Sequence, residues 1–190
     1  MAEGRIVVTG FEPFGGASVN ASWEAVRTLD GVEKALLPVS FARTDEAIRQ
    51  IAASAPDAVI CVGEAGGRSA ISVERVAVNL MDARIPDNDG ARPVDVPIEP
   101  TGPAARFATL PTRRIVECIR KAGLPAELSY SAGTYVCNAT FYALMEALVA
   151  AGTPALGGFI HVPASGMAAG DIARGLDVAV RCVREALEGR

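Results

Sequence analysis

The chain predicts an α/β fold, a largely parallel twisted sheet flanked by helices, in a single domain over residues 1–190. Three observations predict it. Short apolar runs of strand length alternate with amphipathic segments of helix length from end to end. Gly-rich turns follow several of the apolar runs, where a strand would hand over to a helix. Half of the 190 residues are hydrophobic, enough for one sizeable core, and neither an internal repeat nor a linker divides the chain.

In order, Ile6-Val7-Val8-Thr9 reads as a buried strand ending in a Gly-rich turn. Ser22–Leu29 reads as a helix capped by Asn20 or Ser22. Ala35–Val39 is a second strand, and Thr44–Ser54 a helix with Ala47, Ile48 and Ile51 on one face. Ala58–Val62 is a third strand. Ile71–Val78 alternates polar with apolar, as a more exposed strand does. Met81–Pro111 then holds six of the twelve prolines and predicts a long irregular stretch, which inside a domain serves function or an interface. The rhythm resumes with a helix at Thr112–Lys121, a strand at Ala126–Tyr130, a helix at Cys137–Ala150 and a strand at Gly157–His161. The last helix, Asp171–Glu188, turns Leu176, Ala179, Val180, Val183 and Leu187 inward.

Composition excludes several classes. The net charge is −4 with the two signs interspersed, so no basic stripe exists to neutralise nucleic-acid phosphates. No apolar run approaches the roughly 20 residues that span a bilayer. Residues 1–5 lead straight into Ile6-Val7-Val8, too short an apolar run for a signal peptide, so a cytoplasmic address is expected. Four cysteines (Cys61, Cys118, Cys137, Cys182) at wide, irregular spacing and a single histidine argue against a metal site, and no cofactor is expected. In a reducing compartment the four are free thiols.

That single histidine, His161, closes an apolar run just before Val162-Pro163. A strand thus delivers it to its carboxyl end, where open α/β sheets place their sites. If an imidazole does acid–base work here, His161 is that imidazole. Cys137 is the thiol in a position suited to attack. A strand ends at Tyr130, Gly133 permits a sharp turn, and a helix begins near Cys137, whose unpaired N–H groups and dipole would stabilise a thiolate, lower its pKa and hold an oxyanion. Cys61 lies in an apolar strand, and Cys118 and Cys182 beside helical core stripes, where thiols are inert.

The loop Gly10–Gly16 has the outline of a phosphate loop, but Gly16 and Ala17 stand where a lysine and a hydroxyl are required. Its aromatics, Phe11 and Phe14, either wall a small apolar pocket or pack on the core. A carboxylate could orient the histidine and support its imidazolium. Glu74, Glu12, Glu64, Asp82 and Asp87 all qualify, and spacing does not choose among them.

These segments carry a resemblance. Val8–Gly16 with Asn20-x-Ser22-Trp23, Ala65-Gly66-Gly67-Arg68, Glu74-Arg75-x-Ala77-x-Asn79, Asp82–Asn88, Ser131–Asn138 and Gly158–Pro163 together resemble pyroglutamyl peptidase I, the pyrrolidone-carboxylate peptidase family. The motifs lie in order over about residues 5–163. The resemblance implies a phosphorylase/hydrolase-like three-layer sandwich, a homo-oligomer (dimer or tetramer), and a cysteine exopeptidase acting on N-terminal pyroglutamyl peptides through a thioester acyl-enzyme. By motif, it makes Cys137 the nucleophile, His161 the base and Glu74 the third member. It places Arg84 near the oxyanion, and Phe11, Phe14, Ile85, Tyr135 and Val136 around the lactam.

Two departures stand out. Bacterial members carry glutamine where this chain has Glu64. A glutamine amide donates to a lactam carbonyl, whereas an ionised carboxylate only accepts. Glu64 therefore either accepts the lactam N–H or is held protonated by burial. The segment Ala164–Gly170 is also shorter than in the family, which bears on the pocket rim or on oligomer contacts. The rival readings are a related cysteine amidohydrolase with altered cyclic-amide specificity because of Glu64, and a non-catalytic binding protein on the same scaffold.

Overall fold

The computed structural model describes residues 4–190; the expectation resting on residues 1–3, that no leader precedes the first strand, lies outside them. Eight strands and five helices follow in the order β1 (Ile6–Phe11), α1 (Ala21–Val26), β2 (Glu33–Leu37), α2 (Phe41–Ala53), β3 (Ala58–Ala65), β4 (Ile71–Glu74), β5 (Val76–Val78), β6 (Ala105–Phe107), α3 (Thr112–Lys121), β7 (Ala126–Ser129), α4 (Val136–Ala150), β8 (Leu156–Pro163) and α5 (Ala169–Glu188). Six strands form one sheet in the order β2-β1-β3-β8-β4-β7. The first four are mutually parallel. β4 runs antiparallel to β8 and carries β7 parallel to itself, so the sheet is mixed and mostly parallel.

The central strands are apolar throughout because both faces are covered. On one face Ile6, Val8, Ile60, Val62, Val73 and Ile160 pack with α1, α3 and α5. On the other, Phe11, Val59, Cys61 and Phe159 meet α2 and α4. α4 buries ten side chains, among them Phe141, Tyr142 and Leu144, which is why Cys137–Ala150 reads as apolar on nearly every side.

Several elements differ from the sequence reading, among them β2, which spans Glu33–Leu37 rather than Ala35–Val39. Ile71–Val78 is not one exposed strand. Ile71–Glu74 is wholly buried in the main sheet, and Val76–Val78 belongs to a separate two-stranded sheet with β6. The polar alternation misleads because Ser72 and Glu74 are buried with partners: Ser72 Oγ donates to Glu127 Oε1 at 2.8 Å, and Glu74 Oε1 is engaged at the site. The stretch Met81–Pro111 is not irregular throughout, since it supplies β6 and an isolated bridge between Met81 and Val96. β8 also does not break before Pro163; it runs through it, with Pro163 beside Ala65 at the carboxyl ends of β8 and β3.

Helix starts follow their caps. Asn20 rather than Ser22 caps α1, accepting from Ser22 N, so the helix begins at Ala21. Ser40 caps α2 by accepting from Arg43 N, while Asp87 Oδ2 accepts from Phe41 N, which advances the start from Thr44 to Phe41.

Candidate active site

The carboxyl ends of β1, β3 and β8 open onto a cavity of about 360 Å³ lined by Phe11, Phe14, Glu64, Arg68, Asp82, Arg84, Ile85, Tyr135, Val136, Cys137 and His161, among others. Of the residues the resemblance assigns to the site, all but Glu74 line it, whereas the candidate carboxylates Glu12 and Asp87 do not; Glu74 lies behind His161, fully buried.

Strand register explains how His161 and Glu74 meet. β4 faces β8 with Glu74 opposite Phe159 and Ser72 opposite His161. Alternate residues share a face, so Glu74 lies diagonal to His161 on the same side of the sheet. Its Oε1 is 2.8 Å from His161 Nδ1. This leaves Nε2 as the ring nitrogen free for other work, and the imidazole is steadied by the Phe159 ring, 4.8 Å away between centroids. Three of the other four candidate carboxylates are committed elsewhere, and the fourth, Asp82, is exposed on the cavity rim. Glu12 Oε1 accepts from Val39 N and Asn88 Nδ2, and Asp87 accepts from Phe41 N, Asp89 N and Ala91 N. Glu64 Oε2 accepts from Ala21 N at 2.7 Å, fixing the start of α1 to the end of β3.

Cys137 is the second residue of α4, a helix start that no side chain caps. Gly133 makes the preceding corner at φ 77°, a conformation that favours glycine. Asn138 pins the first turn: its Oδ1 accepts from Val78 N and its Nδ2 donates to the carbonyls of Val78 and Leu80. Gly63, beside His161 in the β3–β8 register, makes room for the thiol; a Cβ there would lie 2.8 Å from Cys137 Sγ.

The expected lowering of the thiol pKa is not found. Cys137, half-buried against the sheet, is pushed up to about 12, first by burial, then by Glu74, Cys61 and Glu64, with Arg68 pulling the other way. Cys61 and Cys182 are also pushed up to about 12 by burial, so acidity does not set Cys137 apart from them; its place on the cavity does. Burial likewise holds the His161 imidazole below its ordinary value, against the hydrogen bond and charge of Glu74, with Arg68 lowering it further. Both shifts favour the uncharged forms of the pair.

The Met81–Pro111 stretch forms one wall. Asp82 N donates to the Thr134 carbonyl and Thr134 Oγ1 to the Asp82 carbonyl. The Tyr135 hydroxyl donates to the Pro86 carbonyl at 3.0 Å, and Asn88 Nδ2 reaches the Pro13 carbonyl. Arg84 and Ile85 are exposed at the rim. Phe11 serves both roles left open for it: buried against Phe159, it still lines the cavity, and Phe14 joins it from the same loop. Two residues went unassigned in the sequence reading. Phe41 packs edge-on against Tyr135, 5.5 Å between centroids, and only its aromatic character beside a strand end hinted at it. Arg68 lies inside a recognised motif, yet nothing local shows that it reaches Glu74.

The model of the family described as pyroglutamyl peptidase, Peptidase_C15, matches residues 4–189. The chain belongs to the pyroglutamyl peptidase family. It is 53% identical over 167 residues to a pyrrolidone-carboxylate peptidase of Gloeobacter violaceus, covering 84% of this chain and 81% of that one. With the pyrrolidone-carboxylate peptidase of Thermococcus kodakarensis it shares 45% identity, covering 96% and 97%. The crystal structure of pyroglutamyl peptidase I from Bacillus amyloliquefaciens superposes with a TM-score of 0.93 at 42% identity, over 96% of this chain and 95% of that chain. Pyrrolidone carboxyl peptidase from Thermococcus litoralis gives 0.93 at 36%, over 98% and 96%. Family and fold together support pyroglutamyl peptidase function. Among the described residues no helix is long and apolar enough to cross a membrane, and no cluster of metal-ligating side chains occurs.

Proposed function

We propose that the protein is a cysteine exopeptidase that hydrolyses the amide bond after an N-terminal pyroglutamyl residue, with Cys137, His161 and Glu74 as its triad. The observation that carries this reading is that His161, held from behind by the buried Glu74, shares one cavity with a thiol at an uncapped helix start. Glu74 holds the imidazole with its proton on Nδ1, and Nε2 takes the thiol proton as Sγ attacks the pyroglutamyl carbonyl. Burial favours the protonated thiol and the neutral imidazole, so in this reading His161 acts as a base during attack rather than as the partner of a preformed thiolate. The N–H groups of the first turn of α4, with Arg84 at the rim, stabilise the oxyanion. The C–N bond then breaks, His161 returns the proton to the leaving amine, and a thioester remains. Water, deprotonated by His161, attacks the thioester and releases pyroglutamate and the Cys137 thiol.

Phe11, Phe14, Ile85, Tyr135 and Val136 suit a neutral lactam. A free amino terminus would bring a charge into apolar walls, and the pocket rejects it. Glu64, with Oε2 on Ala21 N, offers its other oxygen to the lactam N–H. The same contact keeps the second reading open, an amidohydrolase selecting other small cyclic amides. We place the protein in the cytoplasm, which suits four free thiols, and as a dimer or tetramer. Val94 and Phe107, both largely exposed, offer apolar surface for such contacts, and light scattering tests it.

The test is release of a fluorogenic amine from a pyroglutamyl amide. Cys137→Ala and His161→Ala should abolish it while leaving the fold intact; full activity in folded Cys137→Ala overturns the mechanism. A panel of cyclic amides at several pH values, with Glu64→Gln alongside, separates the two specificities.

A further inference from the structure

Arg68 follows Gly66-Gly67 in the turn between β3 and β4, and its guanidinium makes two contacts. Nη1 donates to Glu74 Oε1 at 2.8 Å and Nη2 to the Ser131 carbonyl at 2.9 Å. Glu74 Oε1 therefore receives both Arg68 and His161, while Glu74 Oε2 is buried without a partner among the described residues. The carboxylate is fully buried, and the Arg68 side chain is about a quarter exposed at the cavity. A buried charge is costly unless paired. Two nitrogen donors face this carboxylate: a permanently charged guanidinium and an imidazole that has to stay neutral to accept a proton.

We infer that Arg68 is a positioning residue for catalysis: it supplies the permanent countercharge that lets Glu74 stay ionised while His161 stays neutral, and it ties that carboxylate to the loop that presents Cys137. The inference rests on the triad reading above. The charged and titratable groups around His161 are Glu74 on β4, Arg68 on the β3–β4 turn, Cys137 on α4, Cys61 and Glu64 on β3, and Asp82 and Arg84 on the rim segment. Of these, Arg68 is the cation in contact with Glu74. Without it, the buried carboxylate is compensated by drawing a proton onto His161, which removes the neutral base. The second contact acts on the nucleophile. Ser131 opens the turn Ser131–Tyr135 that leads into α4, so one side chain links the group that orients the base to the loop that positions the thiol. Burial is the main cause that holds the His161 imidazole below its ordinary value, and the Arg68 charge acts in the same direction.

Activity on a pyroglutamyl amide across pH 5–9 tests this in Arg68→Gln and Arg68→Lys. In Arg68→Gln the acidic limb of kcat/KM should move up by about one pH unit, the order expected when a nearby positive charge that disfavours the imidazolium is removed. At the foot of that limb kcat/KM should fall about tenfold from loss of neutral imidazole alone. Arg68→Lys keeps the charge but not the fork, so its limb should stay in place while kcat falls and Cys137 alkylates more slowly. A folded Arg68→Gln enzyme with an unmoved limb overturns the inference, because a merely structural arginine would lower activity without shifting the profile. If Arg68→Gln does not fold, Arg68→Lys decides: wild-type kcat and alkylation, or a displaced limb, overturns it. Failure of the triad reading shows separately, as activity persisting in Cys137→Ala.

Discussion

Gly63→Ala puts a methyl group where the Cys137 thiol lies. The added Cβ would sit 2.8 Å from Sγ and 2.7 Å from Cζ of Phe159. Ordinary contacts between such atoms are about 3.5–4.0 Å, so the thiol and the ring must each give way by about 1 Å. Neither can do so freely. Cys137 is fixed by a helix whose next residue, Asn138, makes three hydrogen bonds, and Phe159 packs between Phe11, Phe141 and the His161 ring. Overpacking of this kind costs about 1–3 kcal/mol, which for a chain of this length lowers Tm by about 2–12 °C. A nucleophile displaced by about 1 Å loses about 100-fold in rate. The assay is kcat/KM on a pyroglutamyl amide beside a thermal melt. Gly170→Ala is the control: early in α5, with no described neighbour within 4 Å beyond its own helix, it should gain about 0.5–1 kcal/mol and keep full activity. If Gly63→Ala keeps kcat/KM within about twofold of wild type, Gly63 does not shape the thiol's place and the steric argument is wrong.

On the proposed triad, Glu74→Gln removes the charge assigned to holding the imidazole tautomer and leaves Arg68 facing a neutral amide, so kcat should fall about 10²- to 10⁴-fold in a folded protein; retention of a tenth of the activity would refute the role. Stability should depend on pH through His161. Its folded-state pKa lies below the ordinary 6.5 of the unfolded chain, so between the two values the unfolded state binds the extra proton. That contribution is complete above about pH 6.5 and is lost as pH falls, with a slope of at most about 1.4 kcal/mol per pH unit. Urea melts from pH 7.5 to 5.5 measure it, and an unchanged slope in His161→Gln would count against the assignment.

Much of the scaffold was legible because its core strands are apolar runs between turns. β1, β3 and β8 each carry a side-chain pattern that burial on both faces requires. The start of α4 was legible for the same reason, since a turn glycine precedes a helical stripe. β4 was not, because function inverts its pattern: Ser72 and Glu74 look solvent-facing and are buried by partners 55 and 87 positions away. The choice of Glu74 among five carboxylates depends on an antiparallel diagonal that no local spacing reveals; only the family motif picked it out. The thiol pKa went the other way for a related reason, since the helix start is visible in the chain while the desolvating neighbours and Glu74 are brought in by the fold.

The contact between Phe159 and His161 has a use beyond packing. The chain has one histidine, so in a proton magnetic resonance spectrum the imidazole contributes one pair of carbon-bound ring signals. The Phe159 ring, 4.8 Å away at 49°, displaces those signals by its ring current and makes them sensitive to small changes in tilt. The protein therefore carries an unlabelled reporter at the centre of its site. A titration reads the protonation of His161 in each variant, and a change in chemical shift on adding pyroglutamate reads occupancy, with no second imidazole to disentangle.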